Sequence, residues 1–96
     1  MKILFKCHSH DATPVYVTGN HPALGEWDPA RALPMQLQTD GQDGRAWSAV
    51  LELEPGRTLE YKFVKKSDAG FQWESGWNRT CTAVSGIGSI SDTFRG

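Results

Sequence analysis

Residues 46–53 read AWSAVLEL and residues 59–66 read LEYKFVKK. Both runs alternate. In the first, Trp47, Ala49, Leu51 and Leu53 share one side. In the second, Leu59, Tyr61 and Phe63 point one way and Glu60, Lys62 and Val64 the other. Side chains of an extended chain alternate between two faces, so each run is a strand with one face against a core. Pro55-Gly56 supplies the tight turn between them. No window of a dozen residues repeats near 3.6, so no helix is expected. Further short runs rich in Val, Ile, Tyr and Phe lie at Ile3–His8, Pro14–Thr18, Phe71–Glu74, Thr80–Val84 and Ser89–Phe94, with a weaker one at Leu33–Leu37. Asp68-Ala69-Gly70 reads as a hairpin turn.

Seven to eight short strands at nearly even spacing predict an all-β fold, an antiparallel two-sheet sandwich of the immunoglobulin-like kind; a tight open barrel is the alternative. The 96 residues allow one domain, residues 1–96, with one modest core. Hydrophobic residues at 39% and charged residues at 22% fit a folded module rather than a disordered one. Two loops stand out. NHPALGEWDPAR, residues 20–31, is long and stiffened by Pro22 and Pro29, and DGQDGR, residues 40–45, is polar and turn-like.

The same numbers exclude several function classes. A net charge of −1 with no basic block leaves no stripe for nucleic-acid phosphates. No apolar run is long enough to span a bilayer, so no membrane partner is expected. The N-terminus, MKILFKCHSHD, lacks the length and cleavage site of a secretory signal, which leans the expectation toward a cytoplasmic setting. Any export signal would lie outside this sequence. His8, His10 and Asp11 cluster beside Cys7, but no further ligand sits at a plausible spacing. The cluster reads as a solvated strand end rather than a zinc site, and no metal or cofactor is expected. Cys7 and Cys81 lie near opposite ends of the chain. A bridge between them requires their strands to be neighbours; two half-buried free thiols are the plainer reading. Glu26, Asp28 and Glu74 do not make a glycosidase pair, since a sandwich this small offers no depth to enclose a distorted sugar. With no nucleophile elbow and no phosphate-binding glycine motif, the chain reads as non-enzymatic.

What remains is aromatic. Trp47 lies on the apolar face of its run and is the natural core tryptophan, beside Tyr61 and Phe63. Trp27 sits in a loop between Glu26 and Asp28, where it either plugs the core from outside or presents a flat face to a ligand. FQWESGWN, residues 71–78, packs Phe71, Trp73 and Trp77 around Glu74 and Asn78. Phe71 and Trp73 share a side, and Trp77 is either a second platform or a cover for the sandwich end. Indole beside Lys, Glu and Asn suits a sugar: the ring covers the apolar C–H face, and polar side chains take the hydroxyl rim.

Four segments occur together in order: GNHPALGEWDP at 19–29, LEYKFVKK at 59–66, WESGWNR at 73–79 and SDTFR at 91–95. In this combination, spanning Phe5 to Arg95, the chain resembles the starch-binding domain of carbohydrate-binding module family 20. The resemblance implies an antiparallel β-sandwich that binds α-1,4-glucans such as starch, glycogen, malto-oligosaccharides or cyclodextrin without acting on them. It implies stacking on Trp27 and Trp73, with Lys62, Glu74 and Asn78 as polar partners. Glu74 would accept from a hydroxyl or position Lys62. Trp77 stands where many relatives carry a small residue or proline, and adds a contact or fills space beneath the site. A second sugar site in that family uses tyrosines at positions matching the neighbourhoods of Asp11 and Asp40, neither of which is aromatic here. The resemblance further implies a carbohydrate-active enzyme, fused or acting alongside, as partner. A glycogen-sensing domain of the family 48 type and an immunoglobulin-like protein-interaction module are the alternatives. WESGWNR argues against the first, and the polar rim of Lys62, Glu74 and Asn78 against the second. An open site that must order a flexible ligand implies micromolar or weaker binding.

Overall fold

The computed structural model describes residues 2–9, 13–38, 45–82 and 88–95. Among the described residues nine strands run in chain order: β1 (Lys2–Ser9), β2 (Val15–Gly19), β3 (Leu33–Pro34), β4 (Gln36–Gln38), β5 (Arg45–Glu52), β6 (Thr58–Ser67), β7 (Gly70–Trp73), β8 (Arg79–Thr82) and β9 (Ser89–Thr93). They form two sheets. One is ordered β4-β5-β1-β9; the other is β3-β2-β6, with β7 and β8 also paired to β6. The architecture is a β-sandwich. Two single 3₁₀ turns, Pro22–Leu24 and Pro29–Arg31, interrupt the loop after β2.

The alternating runs supply the core. Ile3, Phe5 and Cys7 of β1 face Leu51 and Trp47 of β5 on one side of the interior. Val15 and Val17 of β2 and Leu59, Tyr61 and Phe63 of β6 close it from the other. Tyr61 meets Phe5 edge-on at 5.1 Å and Phe63 at 5.7 Å, the offset geometry that aromatic quadrupoles favour. Each such ring, fully buried, contributes about 2 kcal/mol of apolar transfer.

Two features differ from the sequence expectation. The run at Leu33–Leu37 is not one strand. Leu33–Pro34 pairs with β2 in one sheet, Gln36–Gln38 pairs with β5 in the other, and Met35 buries its side chain between them. The sandwich corner turns there, and Pro34 suits it because proline is tolerated on edge strands and β3 is the edge of its sheet. The pairing is also not wholly antiparallel. β9 lies parallel to β1, from Leu4↔Ser89 to His8↔Thr93. Residues 10–88 separate the two strands, a return long enough for the parallel direction that a tight hairpin could not give.

Cys7 and Cys81 are both free. Their strands belong to different sheets, so they are not paired neighbours. Burial, reinforced by the charge of Glu74, pushes the Cys7 thiol up to about 12. The loop DGQDGR, up to Gly44, lies outside the described residues, as do His10 and Asp11.

Candidate functional site

The site is organised along β6. On one side β2 pairs with it, Thr18 against Lys62 and Gly19 against Tyr61. On its other edge β7 pairs with residues 64–67 and β8 with residues 58–61. The segment 74–78 joins β7 to β8 at the gap between them, beside Lys62 and Phe63.

β2 leaves the sheet at Gly19. A side chain there would place its first carbon 2.1 Å from the Glu60 carbonyl oxygen, so only glycine fits. Asn20 then clasps β6. Its N–H donates to Glu60 O at 3.0 Å, and its side-chain oxygen accepts from the Glu60 N–H at 3.0 Å. The loop folds back over the outward position of β2, where the buried Thr18 hydroxyl donates to Leu24 O at 2.8 Å. Pro22 and Pro29 each open a 3₁₀ turn. His21 Nδ1 caps the first and Asp28 Oδ1 the second, accepting from the N–H two residues on. Between the turns, Gly25, Glu26 and Trp27 all have positive φ, at 78°, 51° and 69°. For Glu26 and Trp27 this costs roughly 1–2 kcal/mol each. The Trp27 N–H donates to Gly19 O at 3.1 Å, and the residue is half-buried.

The position of Trp73 follows from register. Trp73, the last residue of β7, pairs with Val64, and Val64 pairs with Tyr16 of β2. Residues directly opposite across strands share a face, so all three lie on the outward side of this sheet. Trp73 is 39% exposed, Trp77 is 89% exposed, Asn78 is open to solvent and Lys62 is half-buried. Lys62 does not reach Glu74. Its Nζ donates to Gly76 O at 2.9 Å, tying the turn to β6.

Glu74 departs from its expected place at the sugar rim. It is 1% exposed. Its carboxylate accepts from Arg79 Nε and Nη2, from Arg95 Nε and from the Phe63 N–H, all between 2.8 and 3.2 Å. Those bonds occupy both oxygens, leaving Glu74 beneath the surface as a clamp. Burial alone would raise its pKa; the Arg79 hydrogen bonds, the Phe63 N–H and Arg95 outweigh it and hold the carboxyl below its ordinary value. The network runs on. Arg79 Nη1 pairs with Asp92 at 3.0 Å, and Asp92 accepts from the Tyr61 hydroxyl at 3.0 Å. Arg95 Nη2 donates to Trp77 O at 2.7 Å, and Ser75 N–H to Arg95 O at 2.7 Å. Arg79, Asp92 and Arg95 thus fix the segment carrying Trp77 and Asn78. The sequence carried a hint of this, an arginine five residues after the glutamate and an Asp–Arg pair in the closing SDTFR, but nothing in its spacing joins the two.

The structure therefore lays the Trp27 loop and the Trp73 row over the same outward face, with Lys62 between them. It sets Asn78 and Trp77 on the adjoining turn and leaves Glu74 underneath. Trp47, Tyr61 and Phe63 are in the interior. Among the described residues no cluster of three or more His, Cys, Asp or Glu side chains could hold a metal ion. The neighbourhoods of Asp11 and Asp40 lie outside the described residues.

A family model described as starch binding domain matches residues 1–93. Curated relatives include an alpha-amylase of Streptomyces violaceus, 43% identical over 84% of this chain. A cyclomaltodextrin glucanotransferase of Niallia circulans is 43% identical over 74% of it. The chain covers 14% and 10% of those two proteins. Among solved structures, the Hormoconis resinae glucoamylase matches all of this chain at TM-score 0.88 and 28% identity, with 17% of its own chain covered.

Proposed function

The chain belongs to the starch-binding domain family, carbohydrate-binding module family 20, and on that premise we propose that Trp27 and Trp73 are the stacking platforms of its α-1,4-glucan site. The module binds and does not catalyse. Lys62 and Asn78 offer donors and acceptors to the hydroxyl rim, and Trp77 covers the ligand from the adjoining turn. Glu74 works through other groups: it holds the 74–78 segment against Arg79 and Arg95 and touches no sugar. The supporting observation is that the two indoles belong to elements lying over one outward face on either side of Lys62. Indole faces tilted to one another would suit the curved path of an α-glucan better than the flat ribbon of cellulose. The larger protein in which such a module works is proposed to be a starch-active enzyme, as its relatives are. The module raises that enzyme's local substrate concentration.

Titration with maltoheptaose or β-cyclodextrin, followed by tryptophan fluorescence, tests the site. The α-glucans shift the emission and cellohexaose does not. Trp73→Ala abolishes the shift while far-ultraviolet circular dichroism stays unchanged. A folded Trp73→Ala protein that keeps its affinity would overturn the assignment.

A further inference from the structure

The outward face does not end at Trp73. Along β6 the order is fixed by register: Thr18–Lys62 under the Trp27 loop, then Tyr16–Val64–Trp73, then Lys66–Phe71, then the hairpin turn at Asp68-Ala69. Val64 occupies an outward position yet is 0% exposed. Its cross-strand neighbours Tyr16 and Trp73 are the side chains that the register sets to cover it. Phe71 lies two residues from Trp73 on the same side and is 41% exposed. The Lys66 ammonium stands 5.8 Å from the Tyr16 ring centre and 5.7 Å from that of Phe71. Beyond it opens a cavity of about 630 Å³, lined by Thr13, Pro14, Tyr16, Lys66, Ser67 and Asp68. Adjacent strands are about 4.8 Å apart and alternate residues about 7 Å apart, so the rings step across the sheet at roughly 7–10 Å intervals.

Building on the α-glucan reading, we propose that a longer glucan chain leaving Trp73 continues over Phe71 and Tyr16 into this cavity, making Tyr16, Lys66 and Phe71 an extension of the site. The chemistry is that of the first platforms repeated. Half-open aromatic faces take the apolar side of further glucosyl units. The Lys66 ammonium, the Ser67 hydroxyl and the Asp68 carboxylate offer donors and acceptors to their hydroxyls. Covering Val64 explains burying one face of Tyr16; it does not explain an exposed phenylalanine on the same strip with a lysine held between the rings. A long ligand accounts for both.

Affinity for maltotriose and maltoheptaose, measured by calorimetry on the wild type, Phe71→Ala, Lys66→Ala and Trp73→Ala, decides it. The wild type prefers the heptaose. Phe71→Ala and Lys66→Ala, both surface changes, each weaken heptaose binding roughly fivefold and shrink that preference. Trp73→Ala loses both ligands. If the first two variants keep full heptaose affinity while Trp73→Ala loses it, or if the wild type shows no chain-length preference, the extension is wrong and the Trp27–Trp73 site stands. If Trp73→Ala also retains binding, the extension falls together with the site it extends.

Discussion

Glu26 and Trp27 hold a left-handed backbone that side chains with a Cβ resist, and they hold it in succession. Strain of this kind persists where the surroundings impose it, and it clusters at binding sites. Here the Trp27 N–H bond to Gly19 and the two capped turns on either side do the imposing. Glu26 is exposed, and its φ of 51° is one that glycine adopts freely. Glu26→Gly therefore relieves about 1–2 kcal/mol of conformational cost and adds back about 0.5–1 kcal/mol through the unfolded chain. The net expectation is a gain of about 0.5 kcal/mol in urea unfolding, with maltoheptaose affinity unchanged. A loss of stability would show that the backbone there is not strained. Trp27 differs, since replacing it by glycine removes the same strain together with the indole.

At the scale of elements, the alternation in AWSAVLEL and LEYKFVKK carried most of the fold, because period 2 with one apolar face leaves a strand few other ways to lie. The split of Leu33–Leu37 between two sheets was not legible, since Leu33, Met35 and Leu37 alternate as one strand would and only the partner strands divide them. The parallel seat of β9 was hidden for the same reason. The exposure of Trp73 and Trp77 was legible in the sequence and the burial of Glu74 was not: Glu74 looks like a rim group until Arg79 and Arg95 are seen to close on it. The Trp27 loop makes an element-scale prediction. At Gly25 a side chain would sit 2.5 Å from Arg31 O, a backbone atom, on top of a φ of 78°. Gly25→Ala should cost about 2 kcal/mol or more in unfolding experiments and, by displacing Trp27, weaken maltoheptaose binding as well. One residue further on, Glu26→Gly should do neither. A Gly25→Ala protein with wild-type affinity would mean that the loop's path is not what places the indole.

At the scale of the whole molecule, the Glu74 network joins β6, β7, β8 and β9 to the 74–78 turn, so stability and, on the proposed site, binding should share a dependence on pH. Glu74's carboxyl is held below its ordinary 4.5 in the folded protein. A carboxylate with a depressed folded pKa contributes stability that is present in full above the unfolded pKa. That contribution is lost as pH falls from about 4.5 through the folded value, at up to about 1.4 kcal/mol per pH unit for the one proton involved. Glu74→Gln removes the charge at every pH. It leaves Arg79 and Arg95 without their shared carboxylate, at about 2 kcal/mol near neutral pH, the low side for a buried pair because both guanidinium groups keep some contact with water. Urea unfolding at a series of pH values should show the wild type and Glu74→Gln well apart at pH 7 and converging below pH 4.5. Maltoheptaose affinity should follow the same course, because Arg95 steadies the Trp77 carbonyl and the Ser75 amide only while Glu74 steadies Arg95. Parallel stability curves, with no convergence in acid, would mean that the charge on Glu74 is not what holds the turn in place.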